Sequence, residues 1–447
     1  EHNPVEIYEN VKKIINELVE SSRIPKEKFA ALTITNQRET IVAWDKKTGK
    51  PVYNAIVWQC RRTTKMCQNL VDTGYELVVN KKTGLTIDPY FSASKIKWIL
   101  ENVVEAKEKA YSGQLLIGTI DSWLIWNLTK GQTHATDITN ASRTLLYNIY
   151  TNQWDEELLQ IFGIPSSILP KVKNSDEIFG EILDSDIELI NVPITGVIGD
   201  SQGSLFGQQC FEKGLAKATF GTGTSILVYT EDPVKGNNGL VTTVAWGING
   251  QVYYALEGII NMSGDIIKWM KEDLKLFQDF NELEVLVQQI EDNGGVYLIP
   301  AFIGLGAPYW KPNARAAFFG MSRSTNKNHL IRAGLESIAY QVKDIVELIN
   351  NESDISIKEF RVDGGATRNR FLMQYLANVL DLDVFVSKTS ELSALGATYI
   401  GGLSVGIWKS INQLKALNKY VIYHSSNNEK YQLNYKNWKK YVLQLLK

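Results

Sequence analysis

The run Gly221-Thr222-Gly223-Thr224 lies between two stretches of strand-forming residues, Ala216-Lys217-Ala218-Thr219-Phe220 before it and Ile226-Leu227-Val228-Tyr229 after it. The pattern predicts a β-hairpin closed by a tight turn of glycines and threonines. Glycine takes positive φ readily and lets the backbone come close to a ligand. Turn N–H groups and threonine hydroxyls that converge in this way suit an anion such as phosphate. An ordinary Gly-rich turn has the same composition, so neighbouring segments must decide.

Two segments bear on that choice. Val197-Ile198-Gly199-Asp200 is an apolar strand ending at a carboxylate. Phe360-Arg361-Val362-Asp363-Gly364-Gly365 is a strand entering a glycine turn ahead of a helix, Phe371 to Leu380. Glycines at a strand-to-helix turn favour nucleotide contact at a helix start. Two Gly-rich turns and one isolated carboxylate fit phosphoryl transfer to an alcohol, with Asp200 taking the hydroxyl proton. Asp200 serves equally well, on sequence grounds, as an N-cap for a helix from Ser201 to Phe211.

A chain of 447 residues, 44% hydrophobic and 21% charged, is expected to fold as two or more globular domains. A net charge of −2 gives no electrostatic reason to expect nucleic acid or an anionic membrane as partner. Cys60, Cys67 and Cys210 are too sparse for a disulfide framework, and a reducing, cytoplasmic setting is expected. His2, His134, His329 and His424 are scattered, which argues against a structural zinc site. No apolar run reaches membrane-spanning length, so integral membrane association is not expected. The opening Glu1-His2-Asn3-Pro4 reads as a helix start, Asn3 the N-cap and Pro4 the first helical residue, rather than a secretion signal.

Strands and helices alternate along the chain. Strands are expected at Ala30 to Thr35, Pro193 to Ile198 and Gly295 to Pro300, and a hairpin from Ile41 to Trp58 turning at Asp45 to Gly49. Helices are expected at Thr64 to Val71, Ser92 to Asn102, Asn152 to Phe162, Met262 to Leu274 and Asn328 to Asn350. Ile248-Asn249-Gly250-Gln251 marks a second hairpin, and Ser393 to Val405 a small-residue helix able to pack closely. The reading is α/β, with a boundary near residue 207 separating a domain at 1–207 from one at 208–447 and a cleft between them.

Further candidates sit at strand ends. Arg38 and Glu39 offer a forked donor and an acceptor for a hydroxylated ligand, or form an ion pair in a solvated loop. Trp58 provides an apolar wall for a polyol, or a core tryptophan. Tyr90, after the Asp88-Pro89 turn, offers a hydroxyl, or caps the following helix.

Together these residues resemble the FGGY carbohydrate kinases, and within them the members that act on glycerol. The resemblance runs from Glu1 to about Lys409. It is carried by Ile34–Thr40, Tyr53–Thr63, Gly118–Leu124, Asp137–Thr144, Gly199-Asp200, Gly221-Thr222-Gly223, Pro300–Trp310 and Asp363-Gly364-Gly365. It implies two ribonuclease-H-like domains of the actin/hexokinase type, with the active site in the cleft between them. It implies a cytoplasmic kinase making sn-glycerol 3-phosphate from glycerol and ATP with Mg2+, as a homodimer or homotetramer. By resemblance Arg38, Glu39, Tyr90 and Asp200 hold the glycerol hydroxyls, Trp58 lies against its carbons, Ser201 borders the pocket, and Asp200 is the base. Thr222, Gly264, Lys268, Gly365 and Asn369 fall where such kinases contact the nucleotide.

The sequence also departs from the family pattern. Ser201 replaces a common glutamine and Ser225 a common phenylalanine, which keeps another polyol or a ketose open as substrate. Glu188-Leu189-Ile190-Asn191 stands where members inhibited by fructose 1,6-bisphosphate carry Gly-Gly-Thr-Arg, and the missing arginine implies insensitivity to that effector. Family members begin with a strand, an Asp-x-Gly-Thr-type phosphate loop and a second strand before the first helix, whereas this sequence opens at the helix. The resemblance therefore implies a domain incomplete at its N-terminus, inactive and poorly stable as an isolated polypeptide. It also keeps open a nucleotide-binding regulatory protein of the actin/chaperone fold.

Overall fold

The computed structural model describes all residues except Asn237, Asn238, Trp310, Pro312, Ala416 and Asn427. Trp310, the last residue of one family-like motif, thus lies outside the described residues. The chain forms two compact units, each assembled from three segments. The first comprises Glu1–Gly207, Thr242–Ala255 and Ser393–Ala416; the second comprises Gln208–Val241, Leu256–Leu392 and Leu417–Lys447.

In the first unit the opening helix is Pro4–Ser22, with the Asn3 side chain accepting from the Val5 N–H at 3.0 Å. It buries Tyr8, Ile15 and Val19. Strand Leu32–Asn36 runs parallel to Pro193–Gly199, with Asn36 opposite Gly199. Their apolar residues pack with Trp44 and Trp123, whose rings meet edge-on at 5.4 Å. The small-residue helix Leu392–Ser404 returns to this unit. A Cβ on Gly396 would lie 1.9 Å from the Gly203 carbonyl oxygen, so glycine is what lets this helix approach the helix Asp200–Gly207.

One expected hairpin arm is only partly formed. Strand Ile41–Asp45 exists and turns at Gly49 (φ 67°), but Pro51 and Ile56 meet it as isolated bridges. Its regular partner is Leu115–Thr119. The arm lies along the other edge of Ile41–Asp45, where Ile41 and Ile56 exchange backbone hydrogen bonds at 3.2 and 3.1 Å and the Val52 N–H donates to the Ala43 carbonyl at 2.9 Å. Three expected helices are shorter: Glu156–Phe162, Asp200–Gly207 and Gly264–Glu272. The first ends at Gly163 in the left-handed region.

The second unit is built on a mixed sheet in which Leu215–Phe220 pairs antiparallel with Thr224–Glu231 and parallel with Glu359–Gly364. Val384–Ser387 and Tyr420–Tyr423 continue that sheet. Helices Lys327–Glu352 and Arg370–Leu380 cover it through a core including Ile338, Val342, Leu376 and Val362. In the first unit's Thr242–Ala255 segment, Asn249 and Gly250, both at positive φ, form the predicted turn between Val241–Ile248 and Gln251–Ile260.

Candidate active site

The parallel pairing of Asn36 with Gly199 brings two candidate site residues abreast just beyond the strand ends. Arg38 Nε lies 3.3 Å from Asp200 Oδ1. Arg38 is 4% exposed, while the Asp200 side chain is 46% exposed. Glycine at 199 permits this approach, since a Cβ there would lie 2.8 Å from Arg38 Cγ. Asp200 is the first residue of its helix, and its Oδ1 also accepts from the Ser201 N–H at 2.7 Å. That bond to the next residue is not an N-cap, which would accept from the second or third helical N–H. Ser201 is partly buried beside it.

Arg38 and Glu39 do not form a solvated loop pair. Glu39 is 1% exposed and holds φ 62°, a left-handed conformation that costs a non-glycine residue about 1–2 kcal/mol. Such strain persists where surroundings enforce it, and it clusters at functional sites. Here Arg143 Nε donates to Glu39 Oε1 at 2.7 Å, and Ser92 Oγ donates to the Glu39 carbonyl at 3.0 Å. Trp58 and Tyr90 are partly buried and meet edge-to-face at 5.4 Å. The Trp58 N–H donates to Thr40 Oγ1 at 3.2 Å. Tyr90 is held by its loop: buried Lys95 Nζ donates to the carbonyls of Pro89, Tyr90 and Phe91 at 2.7, 2.6 and 2.9 Å. Burial pulls the Lys95 amine down to about 8.

The first unit thus gathers Arg38, Glu39, Trp58, Tyr90, Asp200 and Ser201 on strand ends and the loops beside them. The arrangement offers a fixed guanidinium donor, two carboxylate acceptors and an aromatic wall, a combination suited to a small polyol. Arg143 and Lys95 escaped the residue-by-residue reading. Arg143 lies within a family-like run, but no local pattern gives it a partner 104 residues away. Lys95 reads as one more helix-surface lysine until its helix is packed.

In the second unit the hairpin turn departs from expectation. Neither Gly221 nor Gly223 adopts positive φ. Glycine is required at 223 for space, since a Cβ would lie 2.4 Å from the Ile260 carbonyl oxygen. The Thr224 hydroxyl does not turn outward; it bonds Ser263 Oγ at 2.7 Å in a buried pair. Ser263 and Gly264 N–H groups donate to the carbonyls of Thr222 and Gly221 at 2.9 and 3.0 Å. The start of Gly264–Glu272 is thereby stitched to the turn, and Thr222 remains exposed. Because Phe220 pairs with Gly364, Gly365 follows at the same end of the sheet. Gly365–Arg368 forms a 3-10 turn, and the helix proper starts only at Arg370. Asn369 caps that helix through Oδ1 to the Leu372 N–H at 2.8 Å. Lys268 lies one turn along its helix, 60% exposed and 3.8 Å from Glu272.

Comparison with known proteins places the chain. Residues 1–207 match the N-terminal domain of the FGGY family of carbohydrate kinases, and residues 216–405 match its C-terminal domain. The chain belongs to the FGGY family of carbohydrate kinases. It is 48% identical to the glycerol kinase of Haemophilus influenzae (strain PittGG), an alignment covering 99% of this chain and 88% of that protein. It is 50% identical to that of Bacillus mycoides (strain KBAB4), covering 93% and 84%. The crystal structure of Plasmodium falciparum glycerol kinase with ADP superposes with a TM-score of 0.94 at 39% identity, covering 100% of this chain and 90% of that one. A ligand-bound xylulose kinase from Lactobacillus acidophilus superposes at 0.88 with 22% identity, which speaks to the fold alone. The FGGY fold is the two-domain actin/hexokinase-like one. Among the described residues no helix is long and apolar enough to cross a membrane.

Proposed function

We propose that this FGGY kinase transfers the γ-phosphoryl group of MgATP to a terminal hydroxyl of glycerol, giving sn-glycerol 3-phosphate. The observation that carries the reading is the Arg38–Asp200 pair at the strand ends, 3.3 Å apart with the Asp200 carboxylate accessible. Arg38, Glu39 and Tyr90 orient the substrate hydroxyls, Trp58 packs on its carbons, and Asp200 accepts the proton as the hydroxyl attacks phosphorus. In this reading residues 1–207 form the substrate domain and 208–447 the nucleotide domain. Thr222, Gly264, Lys268, Gly365 and Asn369 receive the nucleotide. The exposed turn at Thr222 and the open space around Gly365 support their part.

Magnesium needs few protein ligands when phosphate and water supply the rest. Among the described residues no cluster of three His, Cys, Asp or Glu side chains is spaced to hold a metal. The accessible, oxygen-only Asp200 carboxylate suits a hard cation that enters with the nucleotide, and such a cation neutralises developing phosphate charge. We place the enzyme in the cytoplasm, where its three free thiols would persist, as an assembly of two or four copies.

A larger polyol or ketose is the second reading. It is favoured by small Ser201 and by Ser225, whose hydroxyl is turned onto the buried Glu257 carboxylate at 2.9 Å. ADP release with glycerol, D-xylulose and ribitol separates the two. Turnover with glycerol alone supports the first reading, and preference for a larger substrate moves the assignment within the family. Nucleotide binding without any turnover, in protein extended to its relatives' full length, would point to a regulatory protein.

A further inference from the structure

The segment Asp137–Arg143 reaches three of the substrate-site residues at once. Asp137 is fully buried and caps the short helix Ile138–Ala141. Its oxygens accept from the Thr139 N–H at 3.0 Å and the Asn140 N–H at 2.9 Å, which is the capping role. They also accept from the Thr139 hydroxyl at 2.8 Å, Asn140 Nδ2 at 2.8 Å and the Ser175 hydroxyl at 2.9 Å. A cap needs none of these last three.

Two of the extra donors pass the constraint onward. With its proton on Asp137, Thr139 Oγ1 accepts from the Gly199 N–H at 2.9 Å, one residue before Asp200. Asn140 and Asn36 exchange side-chain amide bonds at 3.0 and 3.1 Å, two residues before Arg38. The segment closes with Arg143 Nε on Glu39 at 2.7 Å. Every one of these groups is nearly or wholly buried.

We propose that Asp137 is a positioning residue for phosphoryl transfer, fixing the Thr139 hydroxyl and the Asn140 amide so that they clamp the strand ends carrying Asp200 and Arg38. The proposal rests on the alcohol-kinase reading. It matters because small displacements of a reacting group cost rate steeply, about 100-fold per ångström.

Thr139→Val removes the hydroxyl at nearly constant volume, and Thr139→Ser keeps it. In the full chain, kcat and both KM values are measured by ADP release, with amide hydrogen exchange at Gly199 as an independent readout. Thr139→Val should lower kcat by about tenfold or more, leave the KM for ATP within about twofold, and speed Gly199 exchange. Thr139→Ser should restore all three. Wild-type kcat in a folded Thr139→Val protein overturns the clamp, as does an equal loss in both variants. Should Thr139→Val not fold, Asn140→Ala tests the other arm. A raised KM for glycerol at unchanged KM for ATP supports the clamp, and an unchanged KM for glycerol overturns it. If the unsubstituted chain does not phosphorylate glycerol, that result bears on the kinase reading and not on the clamp. The exchange rate at Gly199 still decides the clamp, because unaltered exchange in Thr139→Val overturns it.

Discussion

Asp200 has an accessible carboxylate whose orientation is fixed by the guanidinium held against it. Asp200→Asn keeps the shape and removes the basic oxygen. Turnover should fall by about 10²–10⁴-fold while calorimetric ATP affinity stays as it was. Undiminished ADP release would exclude Asp200 as base. At this scale the sequence was legible where a residue stands at a strand end. Arg38, Glu39 and Asp200 could be picked out because a strand terminates beside each. Arg143 and Lys95 could not, since their roles arise from burial against Glu39 and the 89–91 carbonyls, contacts that no local pattern encodes.

Among elements, glycines separate packing from function. Gly396→Ala would drive a methyl into the Gly203 backbone, where no side chain can swing aside. A loss of about 1–3 kcal/mol is expected, lowering the melting temperature by several degrees. Gly365→Ala meets open space and has no positive φ to lose. Its stability should stay within about 0.5 kcal/mol, so any rise in KM for ATP would report nucleotide contact. Equal melting temperatures for the two variants would contradict this division. Helices announced by caps and periodicity, such as Pro4–Ser22 and Ser92–Asn102, were readable to within a residue. The 52–58 arm was not, because it meets Ile41–Asp45 through isolated bridges and a few backbone bonds rather than a continuous ladder. The tetrad was read correctly as a turn, but neither glycine takes the expected positive φ, and the constraint on Gly223 is the Ile260 backbone behind it.

At the scale of the molecule, two buried carboxylates shape the response to pH. Burial, and then the charge of Asp121, pushes the Asp137 carboxyl up to about 7. Burial raises Asp121 as well. The folded form then keeps a proton that the unfolded chain has already released. This contribution to stability is complete below the usual carboxylate range near pH 4 and is lost as pH rises toward about 7. Urea midpoints between pH 4.5 and 7.5 should therefore fall less steeply with rising pH in Asp121→Asn than in the unsubstituted protein. An unchanged slope would show that the pair does not titrate in this window.

The order in which the chain emerges from a ribosome adds a constraint of its own. The first unit holds Glu1 at one extreme and Ser393–Ala416 at the other, and the helix Leu392–Ser404 seats its glycines directly on the Gly203 backbone. That surface is made well before its cover, the helix Leu392–Ser404, arrives. A nascent chain stalled anywhere before residue 392 carries an exposed groove of Gly196, Gly203 and their neighbours. During that interval the groove is a natural target for a holding chaperone.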